Sequence, residues 1–248
     1  MQYTHLVLIP SYNSGSKLQT TIHAAAKYAI PVWVVIDGST DDSAWIAKEC
    51  ARTLPNVHVL VQPKNQGKGA AFLFGAQKAL KENFTHALVM DADGQHHAPD
   101  IPRFMELSQQ NPDAMILGKP VFGNDAPKER VAGRKIGNTL ARINTFGGKI
   151  DDSLFGFRVY PLAPSVKILT SIRHARRFDF DTELVIRLYW MGIRPINVPT
   201  PVTYPKPQEG GVTHFHYLRD NLLLASTHIR LFFFALSQAF KKLSNFRG

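Results

Sequence analysis

Through residue 118 the chain alternates between two hydrophobic patterns. Apolar-dominated runs at 6–9, 32–36, 57–61, 87–90 and 114–117 read as strands, the first of them buried. Between them the apolar positions take helical spacing. Leu18, Ile22, Ala25 and Ala29 share one face, a second helix is expected over 43–52, and a third from about 69 to 81 carries Leu73, Ala76 and Leu80 together. A fourth is expected over 99–110. Strands and helices in this order make βαβ units, so the expected fold is α/β: a Rossmann-like, mostly parallel sheet flanked by helices. Beyond 118 the alternation lapses. A basic helix over 130–146, strand and loop over 151–160, a helix over 182–191 and a strand over 193–202 are expected, then a loop rich in Pro and Gly and a final helix-prone segment from about 214 to 240.

Open parallel sheets bind ligands beyond the carboxyl ends of their strands, and the polar segments of this chain fall there. Pro10-Ser11-Tyr12-Asn13 follows the first strand, Asp37-Gly38-Ser39-Thr40-Asp41 the second, Asn65-Gln66-Gly67-Lys68-Gly69 the third and Asp91-Ala92-Asp93 the fourth. In extended backbone Asp91 and Asp93 project to the same side, and two neighbouring anions call for a cation. Mg2+ or Mn2+ takes such oxygen ligands and leaves positions open for phosphate oxygens, which makes a diphosphate the expected ligand. Neither the G-x-G-x-x-G dinucleotide pattern nor a P-loop is present. Gly67-Lys68-Gly69, at a helix start, offers a flexible backbone and a charge to a phosphate, or simply turns the chain.

With 248 residues, the chain is expected to form one large domain over 1–212, in two halves at 1–118 and 119–212, followed by a C-terminal amphipathic segment at 213–248. Cys50 is the only cysteine, which excludes an internal disulfide, and the first residues show no secretory signal pattern, so a cytoplasmic location is expected. The net charge of +10 is lopsided: residues 1–118 hold 9 Lys/Arg against 10 Asp/Glu, residues 119–248 hold 20 against 9. The basic half suits an anionic partner. Its aromatic residues are not interleaved as base-stacking platforms, so no specific nucleic acid is expected.

Taken together, these segments and Phe155-Gly156-Phe157-Arg158 resemble the family 2 glycosyltransferases, within them the dolichol-phosphate mannose synthase-like branch. The resemblance implies a GT-A fold, a nucleotide-diphosphate-sugar donor and an inverting, metal-dependent transfer of a hexose to a lipid-linked acceptor such as polyprenyl phosphate. By the same resemblance Pro10, Tyr12, Asn13, Asp37, Gly38, Ser39, Lys68, Gly69 and Asp91 line the nucleotide-sugar site, with Asp37 reading the base. Ile36 stands where the family often has another acid. Asp91, Asp93 and Gln95 match metal and diphosphate ligands. Asp181 lies where inverting members carry a general base, although acids also favour a helix N-terminus. Arg130, Lys135 and Arg158 match positions that hold an acceptor phosphate, with a register slip between Arg134 and Lys135 left open, and Arg158 is expected to serve catalysis as well; the alternatives are a solvated basic helix face for Arg130, Arg134 and Lys135, and a structural ion pair with Asp152 for Arg158. By the same resemblance 1–118 is the nucleotide-sugar-binding half and 119–212 the acceptor half. His214 is a candidate for the donor loop.

Two rivals accompany this reading. A hydroxylated lipid or polyene acceptor would need Asp181 as a base; a sugar-nucleotidyltransferase would need cations after the first strand, which Pro10 to Gly15 do not supply. The ten-residue uncharged run 231–240 is too short to span a bilayer, and with Arg230 before it and Lys241, Lys242 and Arg247 after it reads as an interfacial helix on the inner membrane face. The alternative is a helix packed on the domain or on another subunit.

Overall fold

The computed structural model describes residues 4–123, 128–202 and 217–245, without the side chains of 128–130, 217–221 and 241–245. His214 lies outside the described residues, as do the side chains of Arg130, Lys241 and Lys242 and the whole of Arg247. The order is β1 (His5–Ser11), α1 (Ser16–Ala26), β2 (Val32–Asp37), α2 (Ser43–Thr53), β3 (Val57–Gln62), α3 (Lys68–Lys81), β4 (His86–Val89) and α4 (Ile101–Gln110). There follow β5 (Ala114–Phe122), α5 (Lys128–Asn144), β6 (Arg158–Pro161), α6 (Leu162–Ser171), α7 (Phe180–Trp190), β7 (Arg194–Val202) and α8 (Tyr217–Asn245).

Among the described residues one seven-stranded sheet runs β3-β2-β1-β4-β6-β5-β7. It is parallel except for β6, which is antiparallel to both β4 and β5. The boundary expected at 118 falls inside β5, whose pairing with β6 and β7 joins both halves of the chain in that sheet. Strand side chains alternate between faces. Leu6 and Leu8 of β1 therefore join a core with Phe72, Phe180 and Leu184, while Val7 and Ile9 join Leu18, Ile22 and Phe104 on the other face. Helix α6 was not expected. It starts directly from β6, with Pro161 as its N-cap residue, so no loop separates the two patterns in the sequence, and Pro164 is tolerated in its first turn.

Two topological features position the site. Strand β1 is flanked by β2 and β4, so the crossovers leave in opposite directions and open a cleft at their carboxyl ends. Because β6 runs backwards beside β4, with Val89 opposite Arg158, its entry segment lies next to the residues leaving β4. The Phe-Gly-Phe-Arg segment thus meets the Asp91 loop.

At the opposite end of the strands, His5 and His86 are register partners with rings stacked at 4.6 Å. His5 Nε2 lies 3.0 Å from Ser108 Oγ, and burial, reinforced by His86, pushes its pKa down from 6.5 to about 4. The unfolded chain then takes up this proton near pH 6.5 while the folded protein does not, so stability falls as pH drops from about 6.5 to 4 and levels off below. His5 is expected to contribute up to about 1.4 kcal/mol per pH unit in that window. Unfolding free energies of His5→Gln across the same range should show a correspondingly flatter slope than wild type; equal slopes would contradict this.

Candidate active site

The cleft wall after β1 and β2 is a zipper of short polar side chains. Asn13 adopts a left-handed backbone (φ 48°); its Oδ1 accepts from the Thr40 amide at 2.8 Å, and its own amide donates to Ser39 Oγ at 3.1 Å. Ser43 Oγ accepts from the amides of Ser14 and Gly15 at 3.0 and 3.1 Å. Pro10 is buried within β1, and Tyr12 and Asn13 are half-buried at its end.

Asp37 does different work from that expected of a base reader. It is buried, Oδ1 accepts from the Gln66 amide at 2.9 Å, and Oδ2 accepts from the Gly67 amide at 2.7 Å. Burial raises its pKa despite these donors. In this structure it ties the end of β2 to the loop before α3. Gly38 packs on the backbone of that loop, where an added Cβ would lie 2.3 Å from the Asn65 nitrogen.

The glycines around Lys68 serve the interior rather than a ligand. A Cβ on Gly67 would lie 2.3 Å from the Arg176 carbonyl oxygen, and one on Gly69 would lie 2.4 Å from that of Ala175 and 2.6 Å from Phe180 Cβ. The Ala70 amide donates to the Arg176 carbonyl at 3.2 Å. Residues 175–180 fill the space that the missing side chain of Gly69 leaves.

Lys68, held between those glycines, is the centre of the site. Its ammonium lies 2.6 Å from Asp91 Oδ1 and 2.9 Å from Asp181 Oδ2 and is 13% exposed. Burial alone would lower its pKa; Asp181 and Asp91 outweigh burial and hold it well above the usual lysine value. Gly156 closes over the pair, since a Cβ there would lie 2.6 Å from Asp91 Oδ2 and 2.7 Å from Lys68 Nζ.

Asp91 and Asp93 are not in extended backbone. The chain turns after Asp91, Gly94 has φ 76°, and Asp93 Oδ1 accepts from the Gln95 amide at 3.0 Å. The two acids still feel each other: burial, then the Asp91 charge, raises the Asp93 pKa, whereas at Asp91 burial is overcome by Lys68 and the pKa is lowered. His96 anchors the turn. Its Nδ1 accepts from the Asp91 amide at 3.0 Å, its ring sits edge-on to Phe155 and Phe157, and burial lowers its pKa. With Nδ1 an acceptor, the proton of the neutral ring is on Nε2, 3.5 Å from Asp91 Oδ2.

Asp181, in the first turn of α7, is 2% exposed. Besides Lys68 it receives the Tyr160 hydroxyl at 3.4 Å, and Arg158 Nη1 lies 3.8 Å from Oδ1. Arg158 is corrected here. Expected to touch an acceptor phosphate, it is fully buried, donating to Tyr160 Oη at 2.9 Å, the Asp181 carbonyl at 3.2 Å and the Asp152 carbonyl at 3.2 Å. It supports Asp181 from beneath. Arg134 on α5 is half-buried. It donates to Asp152 Oδ1 at 2.9 Å and lies under 6 Å from the rings of Phe122 and Phe155. Lys135 is exposed beside it.

Tyr160 was not singled out from sequence, and only the aromatic-glycine context of Arg158 signalled it. His96 closes the acidic motif but was assigned no role of its own, and Asp152 was weighed only as an ion-pair partner of Arg158, whose guanidinium donates to the Asp152 carbonyl.

No group of three His, Cys, Asp or Glu able to hold a metal occurs among the described residues. Two carboxylates at a cleft edge suit an ion whose shell a substrate completes with phosphate oxygens, the usual habit of Mg2+. The mutual repulsion of Asp91 and Asp93 fits that donor set.

The Glycosyl transferase family 2 model matches residues 6–167, and the chain belongs to this family. It is 30% identical to a polyprenol monophosphomannose synthase of Mycolicibacterium smegmatis over 206 residues, 80% of this chain and 77% of that protein. It is 28% identical to an undecaprenyl-phosphate mannosyltransferase of Micrococcus luteus, over 78% of this chain and 81% of that one. The fold resembles glucosyl-3-phosphoglycerate synthase from Mycobacterium tuberculosis in complex with Mn2+, UDP-glucose and phosphoglyceric acid (TM-score 0.64, 17% identity, 95% of this chain and 79% of that one). It also resembles a mannosyltransferase from Pyrobaculum calidifontis in complex with GDP-Man and Mn2+ (TM-score 0.64, 14% identity, 96% and 65%). The protein is therefore a glycosyltransferase with a GT-A-like fold.

The fit at Gly156 has a measurable consequence. Gly156→Ala is expected to lower the unfolding free energy by about 1–3 kcal/mol. Gly133→Ala, in a helix where nothing lies within 4 Å, is expected to be neutral or to stabilise by up to about 1 kcal/mol. Denaturant unfolding of both variants checks this, and equal effects would contradict it.

Proposed function

We propose that this protein transfers a hexose, with inversion, from a nucleotide-diphosphate sugar to a polyprenyl phosphate at the cytoplasmic membrane surface, and that the transfer requires a divalent metal. The observation that carries the choice of acceptor is the state of Asp181. A general base needs a carboxylate open to the acceptor's proton, and this one is enclosed by Lys68, Tyr160 and Arg158. A phosphate acceptor arrives ionised and needs no base, which favours it over a hydroxylated lipid. Relatives named for polyprenol and undecaprenyl phosphate support the same choice.

In the proposed reaction an oxygen of the acceptor phosphate bonds to the anomeric carbon. The bond from that carbon to the β-phosphate oxygen breaks on the opposite face, and the electron pair leaves with the nucleoside diphosphate. Asp91, Asp93 and Gln95 would hold Mg2+ or Mn2+, which supplies charge stabilisation to the departing diphosphate. Pro10, Tyr12, Asn13, Gly38 and Ser39 form the wall of the nucleotide pocket, which Asp37 braces. Arg134 and Lys135, with Arg130, receive the acceptor phosphate, and Arg158 positions Asp181.

Helix α8 supports a membrane location. Leu222–Phe240, 19 residues that include Arg230, is long and apolar enough by length and composition to cross a bilayer, a longer stretch than the uncharged run 231–240 considered from sequence. Its packing favours lying along the surface: Thr227, His228, Leu231 and Ala235 are buried, and the mid-helix Arg230 reaches Glu183 Oε2 at 3.7 Å and Asp179 Oδ2 at 3.9 Å. The opposite face exposes Leu222, Ile229, Phe232, Phe233 and Phe240. Such a face suits the acyl boundary, and the basic half of the chain suits anionic headgroups.

The test uses anionic vesicles carrying undecaprenyl phosphate, radiolabelled UDP- and GDP-hexoses, and Mn2+ or chelator. Labelled lipid is expected with one donor class, only with metal, from protein that pellets with the vesicles, and at least about 100-fold less from Asp93→Ala. Transfer to diacylglycerol but not to undecaprenyl phosphate, or turnover unaffected by chelator, would contradict the proposal.

A further inference from the structure

The contacts of Lys68 carry an inference about how the metal is taken up, resting on the metal–diphosphate reading above. Both oxygens of Asp91 are engaged from within the protein, Oδ1 by the Lys68 ammonium at 2.6 Å and Oδ2 by His96 Nε2 at 3.5 Å. A divalent ion on Asp91 would place two more positive charges within a few ångströms of a buried ammonium, a repulsion that an enclosed site screens poorly. Lys68 and Arg158 already answer the charges of Asp91 and Asp181, with Asp93 alongside. A bare ion therefore has to displace a cation that has no alternative partner except Asp181. A diphosphate changes that, because its oxygens lie on the ion and offer the released ammonium a new anion. Lys68 need not leave the cluster in the exchange. Asp181 Oδ2, 2.9 Å away, keeps hold of it, and the glycines on either side fix the backbone from which it reaches.

We propose that Lys68 is the resident cation of the divalent site: its ammonium occupies Asp91 until a metal ion and a diphosphate arrive together, and it then turns from Asp91 to the diphosphate while staying anchored on Asp181. The consequence is ordered loading. Free metal binds weakly, nucleotide and metal bind cooperatively, and Asp181 acts as a positioning residue, its role being to hold the lysine in reach of both partners.

The test titrates Mn2+ into the full chain and reads free Mn2+ by electron paramagnetic resonance, first alone and then with UDP or GDP. Lys68→Met is expected to bind Mn2+ alone about tenfold more tightly than wild type and to lose about the same factor from the metal–nucleotide cooperativity. A folded Lys68→Met that binds Mn2+ alone no more tightly than wild type overturns the inference while leaving the metal site standing. Mn2+ binding that survives Asp93→Ala, or that fails in wild type with both nucleotides, overturns the inference and the metal–diphosphate reading together. If Lys68→Met does not fold, wild type labelled with 15N at lysine Nζ serves instead. Mg2+ with pyrophosphate is expected to shift the buried ammonium resonance, and the same concentration of Mg2+ alone to leave it in place; a resonance unmoved by both, or moved equally by both, overturns the inference.

Discussion

The site is organised around one ammonium shared by two carboxylates. Lys68 opens α3, Asp91 follows β4 and Asp181 opens α7, so a single side chain joins three elements that are far apart in sequence. Everything nearby is arranged to permit that contact. Gly156 lacks the Cβ that would push the pair apart, the glycines beside Lys68 let its loop ride on residues 175–180, and Arg158 and Tyr160 hold Asp181 from below. Burying such charges costs desolvation energy that apolar packing would avoid. Their presence at the mouth of a cleft, beside an acid pair that repels itself, is the electrostatic signature of a site that handles charged ligands.

The same segment links the cleft to the C-terminal helix. Residues 175–180 contact Gly67 and Gly69 on one side, and on the other side Asp179 and the buried Glu183 face Arg230 of α8. Glu183 also holds Arg187 at 2.6 Å and His174 at 3.0 Å. The exposed apolar face of α8 is thus continuous, through a few ionic contacts, with the loop that positions Lys68. The covered face of that helix is specific and partly ionic. The open one is apolar and undifferentiated, as expected of a surface that meets lipid rather than a shaped partner.

Much of the fold was legible in the sequence because buried parallel strands and amphipathic helices leave distinct periodicities, and all five expected strands of the first half occur. The second half was less so. Strand and loop were expected over 151–160, where β6 begins, but a four-residue strand running directly into a helix leaves no punctuation between the two patterns, and α6 was missed for that reason. At the site, strand ends converge, so the residues that follow them could be expected to gather, and Lys68, Asp91 and Asp181 do meet. It could not show who partners whom. Arg158 looked like a ligand-binding cation because nothing in a linear motif reveals that three acceptors surround it underground, and Asp37 looked free for a base because its backbone partners lie about 30 residues away. The extent of α8 was legible from about 214 to 240, but Arg230, which interrupts its uncharged run, hid the longer apolar stretch until the structure showed that charge facing Asp179 and Glu183.

The most direct test of the shared ammonium is a double-mutant cycle on unfolding free energy in metal-free buffer, comparing Lys68→Met, Asp181→Asn and the double variant with wild type. If the pair is joined as described, the effects are expected to be non-additive by about 1–3 kcal/mol, the second substitution costing much less once the first has been made. Effects that add to within about 0.5 kcal/mol would mean that Lys68 and Asp181 do not interact, and would contradict the account at its centre.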